Sequence, residues 1–257
     1  MAKGASIKFK SYEATIPKIL DFVNLQQELA KHDKIILKPS LKNSDLQDPE
    51  NTNPNFVEAV LQFCLENKNP VAEVFIAEGA DGFDTLELFE ALGYRELAEK
   101  YSVGLIDLNN TEVEETELYD FLKFNKIMYP AILKNGFVIS LPALAENPEH
   151  DISASLSNML GAFPSKYYSG IFSSTKNKIR KWPMKYSIYD IIKCKLPEFA
   201  LIDASAHGRI FAGLPLEIDK QACSLLDKNW KEVSHLNLIE EALSEKEEFE
   251  DDFELEY

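Results

Sequence analysis

The chain has 257 residues, a hydrophobic share of 45% and a charged share of 27%, which gives it enough apolar material for a sizeable core and argues against wholesale disorder. Its formal net charge of −16 excludes nucleic acid and anionic membrane as whole-molecule partners, and no apolar run approaches a membrane span. Cys64, Cys194 and Cys223 are widely spaced, so they read as small buried hydrophobes of a reduced compartment, and the expected location is the cytoplasm.

In chain order, Ile7–Tyr12 predicts a first strand and Ile16–Lys31 an amphipathic helix. The run Lys34–Pro39 (KIILKP) predicts a buried strand that a proline ends. Ser40–Asn53 is a polar loop long enough to be a lid beside a site or a plain surface excursion. Asn53-Pro54 opens a helix through an N-cap and a first-position proline.

Ala72–Ala77 is the next expected strand, leading into Glu78-Gly79-Ala80-Asp81-Gly82 and a helix begun by Asp84-Thr85-Leu86-Glu87. Strand, glycine turn and helix is where α/β sheets place ligands. Glu78, Asp81 and Asp84 oppose an anion there, so the turn suits a cation, a hydroxyl-bearing ligand or no ligand at all. Val103–Leu108 follows as a strand, then an acidic helix near Thr116–Phe124, and a hairpin of Lys126–Leu133 with Phe137–Leu141 about Asn135-Gly136.

Ile152–Pro164 (ISASLSNMLGAFP) reads as a small-residue, helix-like segment. From Ile152 to Tyr189 there is no acid but six bases: Lys166, Lys176, Lys178, Arg180, Lys181 and Lys185. Three readings stand open: a solvated face, an anion site in which Ser153, Ser155, Ser157 and Asn158 supply hydrogen bonds, or a docking surface for an acidic partner or the chain's own tail. Ser187–Leu196 predicts a helix. Phe199–Ala204 predicts a strand carrying Asp203 toward His207, and Leu216–Leu226 and Val233–Leu243 are the final helices. Glu240–Tyr257 holds ten acids and one base, and residues 245–257 are expected as a solvated acidic tail.

Strands alternating with helices give an α/β fold: a mostly parallel sheet with helices on both faces, in two lobes, residues 1–125 and 126–244. The order KIILKPSL, EVFIAEGADGFDTLELFEALGYRELAEKYSVGLIDLN, VISLPAL, SASLSNMLGAFP, FALIDASAHG and AGLPLEIDKQACSLLDKNWKEVSHLNLIEEAL resembles domain of unknown function 362 from about Lys34 to Leu243. Lys38-Pro39 match that family's Lys-Pro-Asn, with Ser40 in place of the Asn. Glu78 matches its acidic position, and Ser157-Asn158 stands for its Lys-Asn pair with Gly161 kept. Its Pro-x-x-Lys-x-His pattern reads Pro142, Ala145 and Asn147 here, and its late aspartate pair reads Leu214 and Asp219.

The resemblance implies a divergent, catalytically silent member without the iron–sulfur module that some relatives carry, although an iron–sulfur protein could act in trans. It would hold an anionic small molecule or an acidic partner between the lobes, using Lys38, Ser153, Ser157, Asn158 and Lys166, with Asp203 as a further candidate. The alternative is an enzyme with Glu78, Asp203, His207 and Asp219 as acid, base or metal ligands; a further alternative is an assembly protein. No cofactor is identified. Segment order also resembles the amino-terminal domain of lactate racemases, without the basic and histidine residues of their site.

Overall fold

The apolar runs become strands of one large sheet in a computed structural model of the chain, which describes residues 3–254, with side chains to residue 244. β1 (Gly4–Lys8) lies at one edge, beginning three residues earlier than the sequence suggests. The expected first long helix is two, α1 (Tyr12–Phe22) and α2 (Leu25–Leu29), because Asn24 between them takes a left-handed φ of 58°.

β2 (Lys34–Pro39) leads through the 40–53 loop to α3 (Pro54–Asn67), whose N-cap Asn53 accepts from Asn55 N. β3 (Glu73–Glu78) leads to α4 (Thr85–Ala91), capped by Asp84, then α5 (Tyr94–Tyr101) and β4 (Gly104–Asp107).

The next two expectations fail for physical reasons. Residues 116–124 form no helix: β5 (Val113–Thr116) is extended, and the amides of Leu122, Lys123 and Phe124 are taken by the Asp190 carboxylate instead of a helical ladder. The Asn135-Gly136 hairpin is also absent. β6 (Ile127–Pro130) pairs with β5 in a separate ribbon, α6 (Ala131–Lys134) makes one helical turn, and Asn135 Nδ2 donates back to Ala131 O. Gly136 serves close packing, since a Cβ there would lie 2.7 Å from Ile36 Cγ1. β7 (Phe137–Leu141), buried at all five residues, is therefore free to sit in the centre of the sheet.

A small ribbon of β8 (Ala145–Asn147) and β9 (Asp151–Ser153) precedes a 3₁₀ turn over Ser157–Ala162, so the expected helix-like segment is part strand, part tight helix. α7 (Ser165–Tyr168), α8 (Met184–Cys194), β10 (Phe199–Ala204), β11 (Arg209–Gly213), α9 (Pro215–Ala222) and α10 (Ser234–Glu254) complete the chain. The acidic tail expected over residues 245–257 lies outside the fully described residues.

The sheet order is β1-β11-β10-β7-β2-β3-β4, parallel from β10 to β4 and antiparallel at the β1-β11-β10 edge. Strands from both halves of the chain share it. Alternation within each apolar run feeds two cores. Ile35, Leu37, Ile139 and Leu201 face one core with α1, α3 and α5; Ile36, Val138, Ala200 and Ile202 face the other with α8, α9 and α10. The fold is thus α/β with helices on both faces. Among the described residues no helix is long and apolar enough to cross a membrane.

Candidate functional site

After β2 the chain steps first to β3 on one side and later to β7 on the other, so the sheet reverses direction between β2 and β7. A crevice opens at such a point, outside the carboxyl ends of the strands. Here the protein fills it with its own polar groups. Asn158 Nδ2 donates to Lys38 O (2.9 Å) and Ser140 Oγ (3.0 Å), while Thr52 Oγ1 donates to Leu141 O (2.6 Å) and accepts from Ser40 N (2.8 Å). The 40–53 loop is therefore pinned at its returning end rather than loose.

On the β2–β3 side of this plug lies a charged cluster. Lys38 is fully buried, and its ammonium pairs with Glu78, also buried, and donates to Asn158 Oδ1 (3.1 Å). Burial holds the Lys38 ammonium below the usual lysine range, with Glu78 opposing that shift. Gly161 makes the approach possible: a Cβ there would lie 2.6 Å from Glu78 Oε1 and 2.7 Å from Lys38 Nζ. Lys38, Glu78, Asn158 and Gly161, the positions matching the family pattern, thus converge from three segments.

Lys176 is a member of this cluster that the sequence reading did not single out. It is buried, donating from Nζ to Gly79 O (2.6 Å) and Gly161 O (3.2 Å), and burial pushes its ammonium down to about 8. Arg180 pairs with Asp81 (2.6 Å) and Glu149 (2.8 Å), and the Lys176 amide donates to Asp81 Oδ1 (2.7 Å). Two separate sequence signals, the acidic glycine turn and the acid-free basic run, are each other's partners. The space left among them is about 60 Å³, room for a water or two.

His150 borders that space and stacks edge-on with His235 at 6.1 Å. Burial holds His150 down to about 4 and His235 down to about 3. Both fold neutral, and the unfolded chain takes up their protons first, so their contribution is complete above about pH 6.5 and is lost as pH falls toward 4. In denaturant titrations at several pH values, His235→Leu should reduce the acid-side loss by about 1.4 kcal/mol per pH unit relative to the native chain. An unchanged slope would mean the ring is already charged in the folded state.

Beyond the plug, over the ends of β7 and β10, lies a much larger cavity of about 730 Å³, bounded by α1, the 46–55 loop, residues 143–146 and the 205–207 turn. Asp203, only 7% exposed, is in its wall: the Tyr12 hydroxyl donates to Oδ2 (2.7 Å) and Ser205 N to Oδ1 (3.0 Å). Burial and the Asp203 charge hold the Tyr12 phenol far above its ordinary value. His207 lines the same cavity from an exposed position.

The remaining expected site residues lie elsewhere. Asp219 is buried in α9, where it accepts from Ser155 N (2.9 Å), Ser155 Oγ (2.5 Å) and Leu156 N (2.9 Å). Ser153 bonds Glu50, and Ser157 closes a local turn by accepting from Ala154 N (3.0 Å). Lys166 is exposed, its ammonium 5.6 Å from the Tyr167 ring, away from Lys38. Glu78, Asp203, His207 and Asp219 therefore occupy three places and do not form the expected ligand set; among the described residues no three His, Cys, Asp or Glu side chains gather as metal ligands. The cysteines are apart and unpaired, and burial pushes each thiol up to about 12.

A parallel-rich α/β sheet with ligand-sized space beyond its strand ends defines a class of protein that places ligands at that edge. The sequence profile of "Domain of unknown function (DUF362)" matches residues 35–209, and the chain belongs to that family. Among solved structures, the lactate racemase apoprotein from Thermoanaerobacterium thermosaccharolyticum is similar, with a TM-score of 0.55 at 17% identity over 88% of this chain. This chain spans 56% of the racemase's length, and the likeness is one of fold. No curated protein matches the chain in sequence.

Proposed function

We propose that the chain is a small-molecule-binding member of this family whose ligand occupies the cavity over the carboxyl ends of β7 and β10. The observation that carries this reading is the cavity itself: about 730 Å³ is the size of ordinary metabolite sites, and it lies outside the carboxyl ends of the strands, next to the filled crevice between β2 and β7. The Lys38–Glu78–Asn158 cluster acts in this reading as an internal brace. Its charges neutralise one another, and the 60 Å³ beside it holds no metabolite.

An anion at Lys38 loses support for the same reason, since the ammonium is enclosed and spent on Glu78. The acidic-partner reading keeps one favourable observation. Lys166, Lys178, Lys181 and Lys185 have no carboxylate partner among the described residues, and Ile171 and Phe172 beside them are almost fully exposed. Protein function other than binding draws no support from a shared geometry of Glu78, Asp203, His207 and Asp219.

The test is native mass spectrometry of the full chain from its own source, with the released ligand then titrated back. Asn55→Trp, at the exposed cavity rim, is expected to weaken that ligand by at least about tenfold while stability moves by no more than about 0.5 kcal/mol. Unchanged affinity would put the ligand elsewhere on the molecule.

A further inference from the structure

Resting on the binding reading above, we infer that the ligand of the large cavity is an amine-bearing cation with an apolar body, its ammonium seated on Asp203. Three features of the wall converge on that chemistry. The cavity is bordered by carboxylates but by no lysine or arginine. Glu146 is mostly exposed and has Lys228 at 3.3 Å, and Asp48 is occupied by Asn43 Nδ2 and Glu50 N within its own loop. Asp203 differs from both: it is 7% exposed and has no ion pair among the described residues.

A carboxylate offers about four acceptor directions, and Asp203 fills only two of them, with the Tyr12 hydroxyl and Ser205 N. Those two donors fix its orientation without cancelling its charge. A buried charge of one sign facing an open cavity is expensive until a counter-charge or a set of donors enters. The Tyr12 hydroxyl also stands 3.2 Å from Ser205 Oγ, so acceptor oxygens cluster around the same point. His207 is exposed and forms no ion pair with Asp203. The lining also includes Leu46, Leu92 and Leu226, apolar surface that suits the body of the ligand rather than its charged end.

A carboxylate or phosphate ligand would meet the reverse of what it needs. A neutral polyol could use the same acceptors, and its hydroxyls would gain from the carboxylate's charge, but it brings no counter-charge to Asp203. The three classes are therefore separable by affinity.

The experiment is ligand titration of the full chain, followed by protein NMR, with cyclohexylmethylamine, cyclohexylmethanol and cyclohexanecarboxylate as a matched set. Because a chain of net charge −16 attracts any amine loosely, binding is read from resonances of Tyr12, Leu92 and Ala143, which border the cavity. The expected order is amine tightest, by about tenfold over the alcohol, with the carboxylate weakest. Asp203→Asn should erase the advantage of the amine over the alcohol; the ranking in the native chain stands as a test even if that variant folds poorly. An equal or tighter carboxylate, or an amine that perturbs only exposed acids, overturns the ligand class while leaving the cavity. If none of the three perturbs the cavity resonances, the binding reading itself fails, and this inference with it.

Discussion

Lys38→Met should destabilise the chain by about 3–5 kcal/mol at neutral pH, the loss expected when one partner of a buried ion pair is removed. The reason lies in what is left. Glu78 is 4% exposed and would lose the ammonium it pairs with, keeping only the more distant attraction of Lys176, while Asn158 Oδ1 loses the donor that orients it. Replacing both partners, Lys38→Met with Glu78→Leu, should restore most of the stability, because a paired charge and a packed apolar pair of similar volume are close in free energy. Urea unfolding of the two variants at neutral pH checks this. A single variant that costs less than about 1 kcal/mol would mean that water reaches Glu78 and that the cluster is a site rather than a brace. Ligand affinity in the large cavity should survive in the double variant.

That prediction joins residues that the sequence separates widely, and how it became legible differs from residue to residue. The central strands β2, β3, β4, β7 and β10 were readable because each is a short, largely apolar run rich in β-branched and aromatic residues, whereas β5, β8 and β9 carry no such run and, like β11, were not expected. The same runs conceal a two-face alternation, Ile35 and Leu37 against Ile36 and Lys38, that shows only when both faces are covered. Asn135-Gly136 misled because a hairpin signal is local, whereas Phe137–Leu141 takes its neighbours from β2 and β10, which lie far away in sequence. Thr116–Phe124 misled because its acids suggested a helix, and the decisive partner, Asp190, comes 66 or more residues later.

Within the site, Lys38, Glu78, Asn158 and Gly161 could be grouped through the family resemblance alone. Lys176 could not, since one lysine among six in a basic run carries no mark of being the buried one. Its signal was the run itself: an acid-free stretch had to find its acids, and Asp81 in the glycine turn was the unmatched set. Tyr12 and Asp203 lie 191 residues apart, and no periodicity links an N-terminal tyrosine to the end of a late strand. A cavity is a property of packing and leaves no trace in the order of residues.

Asp219 is the second position where a large effect is expected, and it acts on the site from beneath. Its carboxylate caps the start of the segment that carries Asn158 and Gly161, by accepting from Ser155 N, Ser155 Oγ and Leu156 N. Asp219→Ala leaves two buried amides and a hydroxyl without that acceptor, and should cost about 3 kcal/mol or more. Amide exchange at Ser155, Leu156 and Asn158 should rise first, because the loosened turn is also what holds Asn158 against Lys38 and Ser140. The carboxyl has an opposite pH signature to the histidines. Burial pushes it up to about 7 from 3.8, against the pull of its own hydrogen bonds, so the folded chain binds this proton more tightly than the unfolded one. Its stabilisation is therefore fullest below about pH 4 and declines as pH rises toward 7, by up to about 1.4 kcal/mol per unit. The native chain minus Asp219→Asn, compared at pH 4 and pH 8, isolates that term. A difference that stays flat would show that the carboxylate is charged throughout, its three donors outweighing its burial.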